Sequence, residues 1–205
     1  MLARVWLQSR LPCGAQRRIV HRQFPLIRRL DGLKGIEVGG SAHNDYFVDA
    51  INVDRWAGPD TIYKAEEHRL AGRRRHVDLV AEGDRLPLAD SAVDFVLASH
   101  VIEHIPDPVA ALREWQRVAR RYLFLVVPHR DRTFDAKRPI TPVQELLDRH
   151  DEGFTSDEDH HWSVWTCESF LELCAALGLR VVEHQDPDTK VGNGFAVVID
   201  VGDAS

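Results

Sequence analysis

Short apolar runs alternate with stretches of helical spacing along most of this 205-residue chain. The runs are GIEVG (35–39), DAINVD (49–54), HVDLVA (76–81), VDFVLAS (93–99), YLFLVV (122–127), RVVEH (180–184) and FAVVIDV (195–201). Most are β-branched and apolar at odd and even positions alike, the pattern of strands covered on both faces. Between them, Pro108 suits a first helical position with Asp107 as its cap. Leu112, Trp115, Val118 and Ala119 then fall on one helical face. Thr141-Pro142-Val143-Gln144 has the form of a capping box. Thr166 predicts another helix start, with a stripe of Phe170, Leu173, Cys174 and Leu177 and a stop at Gly178. Alternating strands and helices predict an α/β fold: a Rossmann-like, seven-stranded, mostly parallel sheet flanked by helices. Residues 1–33 read as a basic N-terminal helical arm and 34–205 as the main domain. Residues 129–161 form a long polar insertion after the fifth strand.

Composition narrows this picture only a little. Apolar residues make up 44% of the chain, enough for one sizeable core. No run approaches the ~18 apolar residues that span a bilayer. Cys13, Cys167 and Cys174 show no pairing pattern, as expected of reduced thiols in a cytoplasmic protein. The formal charge of −6 argues against a nucleic-acid partner. That charge is uneven: the basic residues favour the arm from Arg4 to Arg29, and the acids favour Asp148 to Asp159. The arm lacks a signal-peptide core, and its Arg-rich composition leaves a transit peptide open. A subunit contact within a homodimer, a cover over a ligand, and a patch for an anionic acceptor are three uses for it; solvated helix faces are the plain default.

Candidate chemistry gathers at the carboxyl ends of the predicted strands, where open parallel sheets bind ligands. Glu37 lies on the first strand and is followed by Gly39, Gly40 and Ser41. Small residues there let a backbone turn approach a ligand closely. Asp54 ends the second strand, a place for an acid that binds ribose hydroxyls. Glu82 and Asp84 follow the third.

On these residues, and on GDRLPLADSAVDFVLASHVIEHIPDPVAALREWQRV, the stretch from Gly35 to Pro128 resembles the class I S-adenosylmethionine-dependent methyltransferases. The resemblance implies a cofactor site made by Glu37, Gly39, Gly40, Ser41, Asn44, Asp54, Glu82, Asp84 and Ser99. Ser41 and His43 stand where that family carries its second and third loop glycines, so Ser41 or Asn44 is expected to touch the cofactor. The glycine spacing does not fit a dinucleotide enzyme.

The segment SHVIEHIPDP places His100, Glu103 and His104 within five residues. In a helical turn they share one face, beside the cofactor's sulfonium. Two imidazoles and a carboxylate make a partial metal shell; otherwise Glu103 and His104 only orient the loop. Together with DEDHHWSVWT, the segment is similar to a motif of small-RNA terminal 2′-O-methyltransferases, and its first half to quinone-pathway O-methyltransferases. That likeness implies a divalent metal held by Glu103, His104 and His161, with His100 where those families carry a glutamate. Availability points to Mg²⁺. A cation lowers the pKa of a hydroxyl and positions it, which suits a vicinal diol in a sugar, a ribose end or a catechol.

His129, at the end of the fifth strand, is the expected general base, with His100 and His104 beside the reacting centre. His150 and His160 read as solvated, Trp165 as core, and Trp162 as a candidate stacking wall. The insertion is assigned to acceptor recognition. The full motif set resembles O-methyltransferases of polysaccharide and glycan pathways, and more narrowly the mycobacterial methylmannose polysaccharide 1-O-methyltransferases. The expectation is an O-methyltransferase for a sugar or glycan hydroxyl. RNA or small-metabolite methylation and non-catalytic cofactor binding are the rivals.

Overall fold

A computed structural model describes residues 12–58 and 60–202. All seven expected strands form and join one sheet of order β3-β2-β1-β4-β5-β7-β6. They are β1 (Lys34–Val38), β2 (Asp49–Asp54), β3 (Leu79–Val80), β4 (Val93–Ser99), β5 (Ala119–Pro128), β6 (Arg180–Gln185) and β7 (Gly194–Asp200). Only β7 runs antiparallel to its neighbours. The third strand is shorter than its apolar run suggested. Two residues pair with β2 at the sheet edge, where few neighbours hold a polar-flanked segment extended.

Period-two alternation on the central strands builds two cores. Phe95, Leu97, Phe124, Val126, Ala196 and Val198 face one side of the sheet. Val96, Ala98, Leu123, Leu125, Val127 and Val197 face the other. The first face is covered by Phe24, Leu26, Ile27 and Leu30. These follow helix α1 (Cys13–Gln23) and lie in or beside a 3-10 turn, Pro25–Leu30. The described part of the arm is therefore a layer of the domain rather than a solvated appendage. Residues 1–11, with Arg4 and Arg10, lie outside the described residues.

The second face is covered by helices α3 (Pro108–Val118) and α5 (Cys167–Ala176), with α4 (Val143–Asp151) packed against both. Asp107 caps α3 by accepting from Ala110 N at 2.9 Å, and Trp115 is fully buried on its apolar face. Thr166 and Ser169 form a reciprocal capping box on α5. The box expected at Thr141 does not form. The Thr141 hydroxyl instead accepts from Val164 N at 3.0 Å, which ties the insertion to the segment that follows it. Leu146 of α4 is fully buried, so the insertion reaches the core despite its polar composition. Helix α2 (Ile62–Ala71) packs on the loop after β1. Cys167 and Cys174 are buried and Cys13 exposed, all as free thiols. Among the described residues, no helix is long and apolar enough to cross a membrane.

Candidate functional site

The strand order reverses between β1 and β4, so the crevice for a ligand opens beyond their carboxyl ends. Gly39 has φ +67°, and a Cβ at Gly40 would lie 2.6 Å from Asn52 Oδ1. Both positions need glycine, the first for its backbone and the second for space. Gly40 N donates to Asn52 Oδ1 at 2.9 Å. The two departures from glycine bond each other, Ser41 Oγ to His43 Nδ1 at 2.5 Å. The loop is fixed from outside by Glu67 of α2. This carboxylate accepts from Ala42 N at 2.5 Å and Arg75 N at 2.6 Å, and pairs with Lys64 at 2.9 Å.

Glu37 is buried and paired with Arg75 at 2.5 Å. Burial pushes its carboxyl pKa up, against the pull of Arg75. Asp54 Oδ1 accepts from Trp56 N at 3.1 Å at the exit of β2. Glu82 pairs with Arg55 at 3.1 Å, and Asp84 lies two residues further on, partly buried. Across the crevice, Ser99 Oγ receives Asn44 Nδ2 at 3.1 Å and meets Tyr46 Oη at 2.8 Å. Lys190, from the loop between β6 and β7, reaches the same place. It donates to Asn44 Oδ1, and its Nζ lies 4.1 Å from the Tyr46 ring centroid. A glycine turn, an acid at the second strand end and a polar cluster holding an ammonium suit an adenosyl ligand with an amino-acid end.

Beyond β4 the chain does not form the single helical face that His100, Glu103 and His104 were expected to share. His100 adopts φ +54° ahead of a 3-10 turn, Ile102–His104. This conformation takes its ring out of the set formed by its neighbours. Its Nδ1 stays 3.8 Å from Glu103 Oε1, and its Nε2 is buried without a partner. Burial lowers the His100 pKa to about 4, so the ring is neutral at pH 7.

Glu103, His104 and His161 do converge, each offering one ligand atom with all three atoms within 4.8 Å of one another. The Glu103 backbone carbonyl accepts from Trp162 N at 2.7 Å, which brings His161 in from a distant part of the chain. Each imidazole is fastened through Nδ1: His104 to Asp159 at 3.0 Å and His161 to Asp135 at 2.5 Å. Asp135 is itself buried and held by Arg138 at 2.7 Å. A carboxylate on Nδ1 fixes that nitrogen as donor and leaves the Nε2 lone pair for a cation. Both Glu103 oxygens are buried with no hydrogen-bond partner. Burial pushes its pKa up to about 8, with Asp135 adding repulsion. A partnerless carboxylate between two oriented imidazoles fits a divalent cation, and nothing else described here satisfies it.

His129 stands at the end of β5 as expected, but as a cap. Its Nδ1 accepts from Asp131 N at 3.2 Å, and Nε2 lies 4.0 Å from Asp186. Trp165 is core, as read from sequence. Trp162 packs on His160, with 3.8 Å between ring centroids, rather than lining the cluster. The rings flanking the two cluster histidines are Tyr63 and Phe134. Tyr63 is 6.1 Å from His104, and Phe134 is 4.6 Å from His161 and 80% exposed. His150 is tied to Asp107 at 2.8 Å. Sequence reading missed Asp135, Asp159, Tyr63, Phe134 and Lys190.

Comparison with known proteins agrees with this architecture. Residues 41–127 match the methyltransferase domain family. An uncharacterized methyltransferase of Mycobacteroides abscessus is 37% identical over 98 residues, covering 44% of this chain and 37% of its own length. The chain thus spans little more than a third of that relative. A methyltransferase structure from Aquifex aeolicus superposes with a TM-score of 0.52 at 16% identity, covering 94% of this chain and all of the other. One from Methanosarcina mazei gives 0.52 at 16% identity, covering 86% and 97%. At these identities the likeness shows a shared fold.

Proposed function

We propose that this chain, with the class I methyltransferase fold and a methyltransferase-domain match at residues 41–127, is an S-adenosylmethionine-dependent O-methyltransferase. Its acceptor is a hydroxyl of a sugar or glycan, and a divalent cation on Glu103, His104 and His161 assists. The observation that carries this reading is the Glu103 carboxylate, buried without a partner between two imidazoles whose Nδ1 atoms are already spent on carboxylates.

S-adenosylmethionine, when bound, supplies an electrophilic methyl group on a sulfonium. Asp54 at the end of β2 would hold the ribose, and the glycine turn of Gly39 and Gly40, with Asn44 and Ser99, the amino-acid side. Two nitrogens and one carboxylate are a softer donor set than Mg²⁺ prefers, so Mn²⁺ or another first-row ion suits the site better. A cation there would lower the pKa of hydroxyls that approach it. Asp159 and Asp135 would keep both rings aimed, with Nδ1 as the donor and Nε2 turned to the cation. Tyr63 and Phe134 stand on either side of the histidine pair, where a sugar's C–H face or another ring can lie flat. The His129 Nδ1 lone pair is occupied by the Asp131 N–H, and the unpartnered His100 Nε2 is itself buried.

The test is labelled methyl transfer onto mono- and oligosaccharides with Mn²⁺, Mg²⁺ or EDTA. Transfer that needs a divalent ion and is lost in His104→Ala supports the reading. Transfer indifferent to EDTA and to that substitution would end the metal part and leave a metal-free methyltransferase.

A further inference from the structure

Lys190 has no role in the chemistry above, yet its surroundings are built. It sits in the loop joining β6 to β7, and that loop is held in shape. The buried Asp188 carboxylate accepts from Val191 N at 2.7 Å, Gly192 N at 3.1 Å and Gly194 N at 3.0 Å. Thr189 donates its hydroxyl to the Gln23 carbonyl at the end of α1, which ties the loop to the helix beside it. The result aims the Lys190 side chain across the sheet ends, against Asn44 and the Tyr46 ring.

There the ammonium finds only neutral contacts. Among the described residues no carboxylate lies within ion-pair distance of it. The acids that face it are engaged elsewhere: Glu37 with Arg75, Asp188 with three backbone N–H groups, and Asp45 with Arg73 and the N–H of Phe47. His100 and His43 are the remaining titratable neighbours, and burial lowers the pKa of both. A cation taken from water into such a place is costly unless a counter-charge arrives. Burial accordingly lowers the Lys190 pKa to about 8 despite these acids. Around the ammonium stand the Asn44 amide, the Tyr46 hydroxyl and the Ser99 hydroxyl, a cluster able to receive an anion.

We infer that Lys190 receives the carboxylate of the methyl donor's amino-acid end, closing the cofactor crevice from the β6–β7 loop. This rests on the proposed cofactor, and the geometry favours it because Lys190 meets the loop after β1 and the end of β4, where that end of the donor belongs. A carboxylate or phosphate on the acceptor is the other source of the same chemistry, and the experiment separates the two.

The test is calorimetric binding to wild type, Lys190→Met and Lys190→Arg with two ligands. S-adenosylhomocysteine carries the amino-acid end; 5′-methylthioadenosine has the same nucleoside and thioether without it. Lys190→Met is expected to lose roughly 10–100-fold in affinity for S-adenosylhomocysteine, the scale of one charge-assisted contact. It should keep wild-type affinity for methylthioadenosine, which also shows that the variant is folded. Lys190→Arg should recover most of the loss. Unchanged S-adenosylhomocysteine affinity in Lys190→Met would overturn the inference and leave the acceptor's anion as the alternative. Equal losses for both ligands would overturn it as well, by reducing Lys190 to a structural part. Wild type that binds neither ligand would refute the cofactor itself.

Discussion

Two glutamates sit at neighbouring strand ends, Glu37 on β1 and Glu103 just past β4, both almost wholly shielded from water. Their surroundings differ in one respect. Glu37 has Arg75 at 2.5 Å. Glu103 has no partner on either oxygen, and its nearest basic groups are imidazoles at 3.8 and 4.0 Å. The first is a closed ion pair within the fold; the second is an open valence. A native domain tolerates few such orphans, and a carboxylate is the costliest kind. The difference separates a charge closed within the fold from one left open, and the proposed metal reading rests on the open one.

The sharpest way to break this contrast is to neutralise each carboxylate in turn. Glu37→Gln strands the Arg75 guanidinium and is expected to cost about 3–5 kcal/mol. In a chain of this size that lowers the melting temperature by roughly 6–20 °C. Glu103→Gln should move metal-free protein the other way above about pH 8, up by a few degrees, because there it replaces a buried, uncompensated charge by a neutral amide. The same variant should lose at least ~100-fold in Mn²⁺ affinity, having lost one of three ligands. Melting scans in chelator and metal titrations by calorimetry read both. A fall in both melting temperatures would show that Glu103 has a partner in solution and that the valence is closed.

The next effect concerns what aims the imidazoles. Asp135→Asn should weaken divalent-ion binding by about 10–100-fold, the usual effect of losing a carboxylate behind a ligating histidine. Asp159→Asn should do less, since Asp159 is 45% exposed and its bond to His104 competes with water. Metal titrations of the two variants give the order. Equal or reversed losses would mean that burial does not decide how firmly each imidazole is held.

These two regions were unequally legible in the sequence. The strands, the caps at Asp107 and Thr166 and the convergence of Glu103, His104 and His161 followed from local pattern and motif likeness. His100 did not follow, because a left-handed φ at a histidine has no sequence signal and breaks the assumed helical spacing. Asp135 and Asp159 act 26 and 55 residues away from the rings they orient, and nothing local in FDAK or DEDHH marks that. The arm was read as separate because its basic residues dominate the composition, while Phe24, Leu26, Ile27 and Leu30 that bind it to the sheet are few. Arg75, the partner that closes Glu37, lies 38 residues further along the chain, and nothing local in its arginine run marks it.

A smaller effect tests the other uncompensated charge, Lys190. Its folded pKa of about 8 lies below the ordinary lysine value of 10.5. Between these two pH values the unfolded chain binds more protons than the folded one, so stability rises with pH across that window. Below about pH 8 the full cost of burying the ammonium is present. Lys190 is partly exposed, which reduces its contribution to about 1–2 kcal/mol. Lys190→Met should therefore flatten the rise in melting temperature between pH 8 and 10.5. An unchanged slope would place Lys190 in water rather than in the crevice.

The smallest effect is expected at His129. A general base needs a free lone pair directed at the acceptor hydroxyl, and its removal costs about 10²–10⁴-fold in rate. The His129 Nδ1 lone pair is held by the Asp131 N–H, which caps the 3-10 turn Arg130–Arg132. In the neutral ring the proton is then on Nε2, which points towards Asp186 and not into the cluster. His129→Ala should cost about 1 kcal/mol of stability through the lost cap. It should change turnover less than ~3-fold at any pH, well short of the loss of a base. A loss of 100-fold or more, with cofactor and metal affinities intact, would show that the Asp131 bond opens during the reaction and would return the base role to His129.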